Sequence, residues 1–327
     1  MFTVKIMKEE DNSDKNGVTT MAKYKNSKAL RQLVDGSLKP ASTWETKLTQ
    51  AGQTAESEKD KAAKKAEAWG DLVRSGKIGY FALLRNLRNI LEQAPEVMDE
   101  AREMLVDERL IKKSLVLPFR FRTAIDAMEQ SQLSGRHQMV RALSEATDAA
   151  LANVPQFEGR TLVAMDCSGS MIGRPMKIGS LFASVLYKAN DADLMLFSGD
   201  ARYVTLNKSD ATLTLASRIE DKAEWSGTNF HAVFQRATGA YDRVVILSDM
   251  QAWMGYWTPQ KEFEKYVKRS GKRPRIYSFD LAGYGTLQFP ERDVYCLAGF
   301  SDKTMETIKF LEEDKSALLK QIDAVEL

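Results

Sequence analysis

A helical first half followed by an α/β second half is the architecture this 327-residue sequence predicts. Three observations carry the prediction. From about Asn26 to Glu145, apolar residues recur at helical spacing and no period-2 segment interrupts them. After Gly159, short apolar runs alternate with amphipathic stretches, the pattern of a parallel-rich sheet covered by helices. Between the two lies Asn153–Gly159, "NVPQFEG", whose proline and glycine break both patterns. Helix following helix through short breaks predicts stacked hairpins with α-solenoid-like packing, although no strict sequence repeat is present. The expected organisation is a flexible tail over 1–25, a helical repeat domain over 26–155 and an α/β domain over 156–327.

In the helical half, "NSKALRQLVDG" pairs an Asn/Ser start with a Gly stop. "ASTWETKLTQAG" places Ser42 three residues before Glu45, the spacing of a capping box, and ends at Gly52. "SEKDKAAKKAEAWGDLVRSG" is rich in Ala and Lys, both good helix formers. "GYFALLRNLRNILEQAP" puts Leu84, Leu87 and Leu91 on one face. "APEVMDEAREMLVDERLIKKS" continues the helical pattern, "LPFRFRTAIDAMEQS" starts a helix near Pro118, and "GRHQMVRALSEATDAALANV" supplies the last one.

In the second half, "RTLVAMD", "DLMLFSG", "RVVILSD", "RPRIYSFDLAG" and "DVYCLAG" read as strands, and "ARYVTLN" as the return of a hairpin around Gly199-Asp200. Helical stretches separate them: "MKIGSLFASVLYKAN", "ATLTLASRIE", "NFHAVFQRATGA", "TPQKEFEKYVKRSG" and the closing "SDKTMETIKFLEEDKSALLKQIDAV".

Bulk properties remove several classes. Net charge is +2, and neither half is a bulk polycation: residues 1–158 carry 25 Lys+Arg against 23 Asp+Glu, the rest 22 against 22. Any nucleic-acid role must therefore come from a local patch. Two distant cysteines, Cys167 and Cys296, make neither a disulfide framework nor a metal set, and point to a reducing cytoplasm. No run approaches the ~18 apolar residues of a membrane helix, and the N-terminus lacks a signal peptide's apolar core.

Oxygen-bearing side chains cluster at the predicted strand ends. Asp166, Ser168 and Ser170 follow "LVAM", Thr228 sits in "WSGTNF" before a helix, and Asp249 follows "VVILS". In doubly wound sheets, ligands bind outside the carboxyl ends of the strands. Two carboxylates and three hydroxyls form a hard-oxygen set suited to Mg²⁺, with a vertex left for water or an acidic partner group. As an alternative, D-x-S-x-S caps the following helix through its serines. Gly-x-Ser-x-Gly and Walker loops do not fit these residues. A triad through His231 has no supporting partner, and a Mg²⁺-dependent phosphohydrolase lacks a positioned base or a phosphate-cradling loop.

The strand-end motif resembles the metal-ion-dependent adhesion site (MIDAS) of von Willebrand factor A domains. Taken with "WGDLVRSGKIGYFALLRNLRNI" and "DERLIKKSLVLPFRFRTAIDAME", the whole from about Lys28 onward resembles the TROVE-domain Ro ribonucleoprotein family. The resemblance implies a partial, HEAT-like helical repeat domain followed by a doubly wound A-like domain. It implies an RNA-binding protein, not an enzyme, that takes small structured RNAs or the single-stranded ends of defective RNA in a quality-control or ribonucleoprotein role. It also implies a divalent cation, Mg²⁺, on Asp166, Ser168, Ser170, Thr228 and Asp249.

For RNA, the matching residues are Arg85 and Arg88 in "LLRNLRN", and a second basic group of Lys112, Lys113, Arg120 and Arg122 with Phe119 and Phe121 interleaved. Cations neutralise phosphate and aromatics stack on unpaired bases; buried core positions suit the two phenylalanines better. The sequence departs from the family pattern in three places. Leu117 stands where members often carry His before Pro-Phe, Asn229 stands in a Gly-Thr-Asp position, and the N-terminal repeats have no counterpart. The last departure predicts a second polypeptide supplying those repeats, or self-association. The alternative function is a protein-interaction module whose MIDAS binds an acidic residue of a partner, possibly the missing half of a split Ro protein.

Overall fold

The computed structural model describes residues 32, 37, 43–251, 259–283, 293–298 and 302–313. The expected tail over 1–25, most of the "NSKALRQLVDG" helix and the end of the closing helix lie outside these. The chain divides into two compact units, Met1–Lys61 and Ala62–Leu327.

In the first unit, α1 (Trp44–Gln53) starts one residue later than the Ser42/Glu45 spacing suggests. Thr43 is the cap, and Thr46 returns the hydrogen bond to the Thr43 amide, completing the box with hydroxyls only. Thr replaces Ser and Glu because the box needs only an acceptor at each end.

The second unit takes up α2 (Glu58–Arg74), which crosses the division, and α3 (Tyr80–Gln93). The "APEVMDE…KKS" stretch is not one helix. It breaks into a 3₁₀ turn at Pro95–Val97, α4 (Met98–Val106) and α5 (Glu108–Ser114). Asp107 makes the second break, since its carboxylate accepts from the amides of Arg109 and Leu110 and so starts a new helix. α6 (Phe119–Glu129) and α7 (Arg136–Ala149) follow, with a 3₁₀ turn to Asn153. Leu83, Leu84, Leu87, Ile90 and Leu91 of α3 are buried, which is the leucine face read from the sequence. Phe119 and Phe121 are buried too: Phe121 meets Tyr80 edge-on, and Phe119 stacks on Phe182 at 4.6 Å.

Beyond Asn153 the chain turns to strands: β1 (Thr161–Asp166), α8 (Arg174–Ala189), β2 (Asp193–Phe197), β3 (Ala201–Tyr203), α9 (Thr212–Asp221) and α10 (Phe230–Arg236). They are followed by β4 (Arg243–Ser248), α11 (Pro259–Ser270), β5 (Arg275–Asp280), β6 (Val294–Ala298) and α12 (Asp302–Glu313). The sheet order is β3-β2-β1-β4-β5-β6, parallel except for the β2–β3 hairpin. Strand direction of travel reverses at β1, whose neighbours are β2 and β4, so the β1/β4 edge is the switch point of a doubly wound sheet.

Alternate strand residues feed opposite faces, as a pleat requires. Val163, Met165, Val245 and Leu247 meet α8, α9 and α12, while Leu162, Ala164, Val244 and Ile246 meet α10 and α11. The helical half joins the first of these cores through Leu117, Phe119 and Val154. Asp148 at the end of α7 fixes the join by accepting from the Thr212 amide and hydroxyl and from Lys188.

Candidate functional site

Parallel pairing of β1 with β4 sets Met165 beside Leu247, so Asp166 and Ser248 end the two strands side by side. Asp166 is fully buried. One of its oxygens accepts from the Ser168 amide at 2.8 Å and the other from the Ser248 hydroxyl at 2.6 Å. Burial, reinforced by the nearby charge of Asp249, pushes its carboxyl up to about 6, against the opposing pull of those hydrogen bonds. Among the described residues no lysine or arginine pairs with Asp166 or Asp249.

Three loops are tied together here by backbone. The Gly169 amide donates to Ser226 O at 2.9 Å, and the Trp225 amide donates to Cys167 O at 2.9 Å. A Cβ on Gly169 would sit 3.3 Å from Trp225 O, so the close approach favours glycine. Ser226 Oγ donates to Ser198 Oγ and accepts from the Gly199 amide, which adds the β2–β3 turn. Thr228 is buried in the second of these loops, and Asn229 caps α10 by accepting from the His231 amide. That cap is a role Asn fills as well as Asp.

Ser168 and Ser170 lie 3.2 Å apart through their hydroxyls, with Ser170 exposed. Neither caps a helix. Ser168 precedes the 3₁₀ turn Gly169–Met171 without a side-chain cap bond, and the cap residue of α8 is Gly173, whose φ is 93°. The capping alternative for D-x-S-x-S therefore fails. What remains at this sheet end is two buried carboxylates and neighbouring hydroxyls with no cation among the described residues, a hard-oxygen chemistry of the kind divalent ions such as Mg²⁺ take. Cys167, between Asp166 and Ser168, is buried and its thiol is pushed up to about 12 by that burial.

The basic residues expected to act as one group are distributed around α6. Arg85, Arg88 and Arg120 share a groove of about 610 Å³ between α3 and α6, with Phe81 on its wall. Arg122 faces instead a separate groove of about 350 Å³ between α6 and α8, and its guanidinium pairs with Asp126 at 3.0 Å. Residues two apart on a helix point to different sides, which is why Arg120 and Arg122 separate. Lys113 lines a third groove, beside Tyr80 and Glu103. Lys112 is exposed in the last turn of α5, where a cation also complements the helix carboxyl end.

The aromatic available to a ligand is Phe81, 43% exposed, and not Phe119 or Phe121. Its signal was present in the sequence, because Phe81, Arg85 and Arg88 stand at i, i+4 and i+7 on one helix face. Arg174 and Lys177, on the wall of the α6/α8 groove, also went unmarked in the sequence.

Residues 27–171 match the family model described as the TROVE domain. The chain is similar to the RNA-binding protein RO60 of Deinococcus radiodurans, 24% identical over 254 residues, which is 67% of this chain and 46% of the relative. It thus spans about half the length of that protein. The crystal structure of the Deinococcus radiodurans RO (RSR) protein superposes with a TM-score of 0.64 at 20% identity, covering 85% of this chain and 65% of that one. The fold is that of the Ro structure, helical repeats with an A-like domain.

Proposed function

We propose that this chain, which belongs to the TROVE-domain Ro family, binds RNA along the α3/α6 groove, in the ribonucleoprotein or RNA quality-control role that family resemblance implies. The observation that carries the reading is the convergence of Arg85, Arg88 and Arg120 with the exposed ring of Phe81 in one groove of the matched domain. The Deinococcus relative is named an RNA-binding protein. Guanidinium groups neutralise phosphates, and an exposed aromatic face stacks an unpaired base.

The test is fluorescence anisotropy with a short single-stranded RNA and a structured hairpin across a salt series. Affinity should fall linearly in log–log form, and Arg85→Glu/Arg88→Glu should weaken it about 10-fold or more. Failure to bind either RNA, or binding indifferent to that double change, would reject the reading.

The strand-end oxygens support a second site. Asp166, Ser168, Ser170, Thr228 and Asp249 would hold a divalent cation, Mg²⁺ by preference of an all-oxygen donor set. When bound, the ion supplies a vertex for an oxygen of a partner. The observation favouring this is the pair of buried carboxylates without an internal countercharge. In this reading the ion would serve binding, as the family resemblance implies. Isothermal titration with Mg²⁺, repeated on Asp166→Ala, tests it; heat of binding that persists in the variant would place the ion elsewhere.

A further inference from the structure

We infer that the RNA track continues across α6 into the α6/α8 groove, where Arg174 and Lys177 hold the phosphodiester backbone of a single-stranded stretch. This rests on the RNA reading above and extends the contact surface to α8, on the A-like side of the chain.

The two grooves share a wall. Thr123 of α6 lines both, so a strand leaving the first meets the second without crossing a further element. The charges follow the same path. Among the described residues the only carboxylate lining the second groove is Asp126, and Arg122 already pairs with it. Arg174 and Lys177 stand at i and i+3 on one face of α8, both are exposed, and among the described residues neither makes an ion pair. The groove therefore carries two positive charges that are unbalanced among the described residues, next to a first groove lined by three arginines, of which Arg88 pairs with Glu92 of its own helix at 3.6 Å. Placing cations in succession, with the local acids paired away, costs repulsion unless an anionic chain spans them.

A single strand fits better than a duplex. The exposed Phe81 offers a stacking face that only unpaired bases use.

The experiment measures binding of a short single-stranded RNA across a salt series by the full chain, by Arg174→Glu/Lys177→Glu and by Arg85→Glu/Arg88→Glu, with circular dichroism checking that each variant folds. Loss of two phosphate contacts should reduce the log–log salt slope by about 1.4 and the affinity by about 10-fold. Wild-type binding with an unchanged slope in Arg174→Glu/Lys177→Glu overturns the extension and leaves the RNA reading standing. A lower affinity with an unchanged slope also overturns it, because the loss would then not be electrostatic contact. No binding by the wild-type chain rejects both. Displacement of the RNA by polyglutamate of equal charge would assign the groove to an acidic polypeptide and reject the RNA assignment.

Discussion

At the amino end of the sheet, Glu312 of α12 accepts from Arg243 at 2.9 Å, from Arg275 at 2.9 Å and from Tyr277 at 2.7 Å. At the carboxyl end, Asp166 accepts from an amide and a hydroxyl and faces the charge of Asp249. Both carboxyl groups pay for burial. At Glu312 burial is outweighed by the hydrogen bonds and charges of its partners, and its carboxyl is held below the usual 4.5. At Asp166 burial wins and the carboxyl is pushed up to about 6. One end of the sheet has its cation built in and is closed; the other lacks one and is open. A structural clamp and the proposed cation site thus use the same side-chain chemistry and differ in whether the countercharge comes from the chain.

The largest expected effect breaks the closed end. Glu312→Gln leaves Arg243, only 2% exposed, without its carboxylate. Removing one partner of a buried pair costs about 3–5 kcal/mol, and urea unfolding should show it. Arg243→Met/Glu312→Leu should recover part of the loss, because it removes the most buried pair and leaves only the partly exposed Arg275 without its carboxylate. A loss under ~1 kcal/mol in Glu312→Gln would mean that water already screens the pair.

The pH dependence has a defined sign. Glu312 is lowered in the folded state, so its contribution is fully present above about 4.5 and is lost as pH falls through the lower folded value. Wild-type stability should fall in that acid window with a slope of up to about 1.4 kcal/mol per pH unit from this group. Glu312→Gln should flatten that part of the curve.

A smaller effect tests the open end. Mg²⁺ at about 100 times its dissociation constant should stabilise the wild-type chain by ~2.7 kcal/mol. Asp166→Ala should abolish that gain. In chelator the same variant should lose no more than about 1–3 kcal/mol, the cost of the unpaired Ser168 amide and Ser248 hydroxyl. A Mg²⁺ gain that survives Asp166→Ala would close the carboxyl end as a cation site.

These two ends were not equally legible. Asp166, Ser168 and Ser170 lie within five residues after an apolar run, and strand geometry alone carries them to the sheet edge. The Glu312 clamp joins residues 69 apart in sequence, and no local pattern marks it. The same contrast explains the helical half. Leucine periodicity located α3 and its buried face, but the groove is built by α3 against α6, so Arg120 left the group its sequence neighbours suggested. Asp107 is a legible N-cap, but helical periodicity continues across it and hides the break. Phe81 shows the cost of reading aromatics by proximity to lysine and arginine instead of by helical face.

The smallest predicted difference lies between single arginines. Arg122 is half-buried and paired with Asp126, whereas Arg85 is exposed and among the described residues makes no ion pair. At the sheet ends a buried charge balanced within the chain holds structure and an unbalanced one is open to a ligand; Arg88, whose pair with Glu92 is exposed and 3.6 Å long, is not held in this way. Arg85→Ala should then lower the salt slope of RNA binding by about 0.7, one phosphate contact. Arg122→Ala should leave the slope unchanged and cost at most about 1 kcal/mol of stability, the value of a partly exposed i,i+4 pair. An equal loss of slope in both variants would mean that RNA breaks the Arg122–Asp126 pair on binding, and that internal pairing does not protect a cation from recruitment.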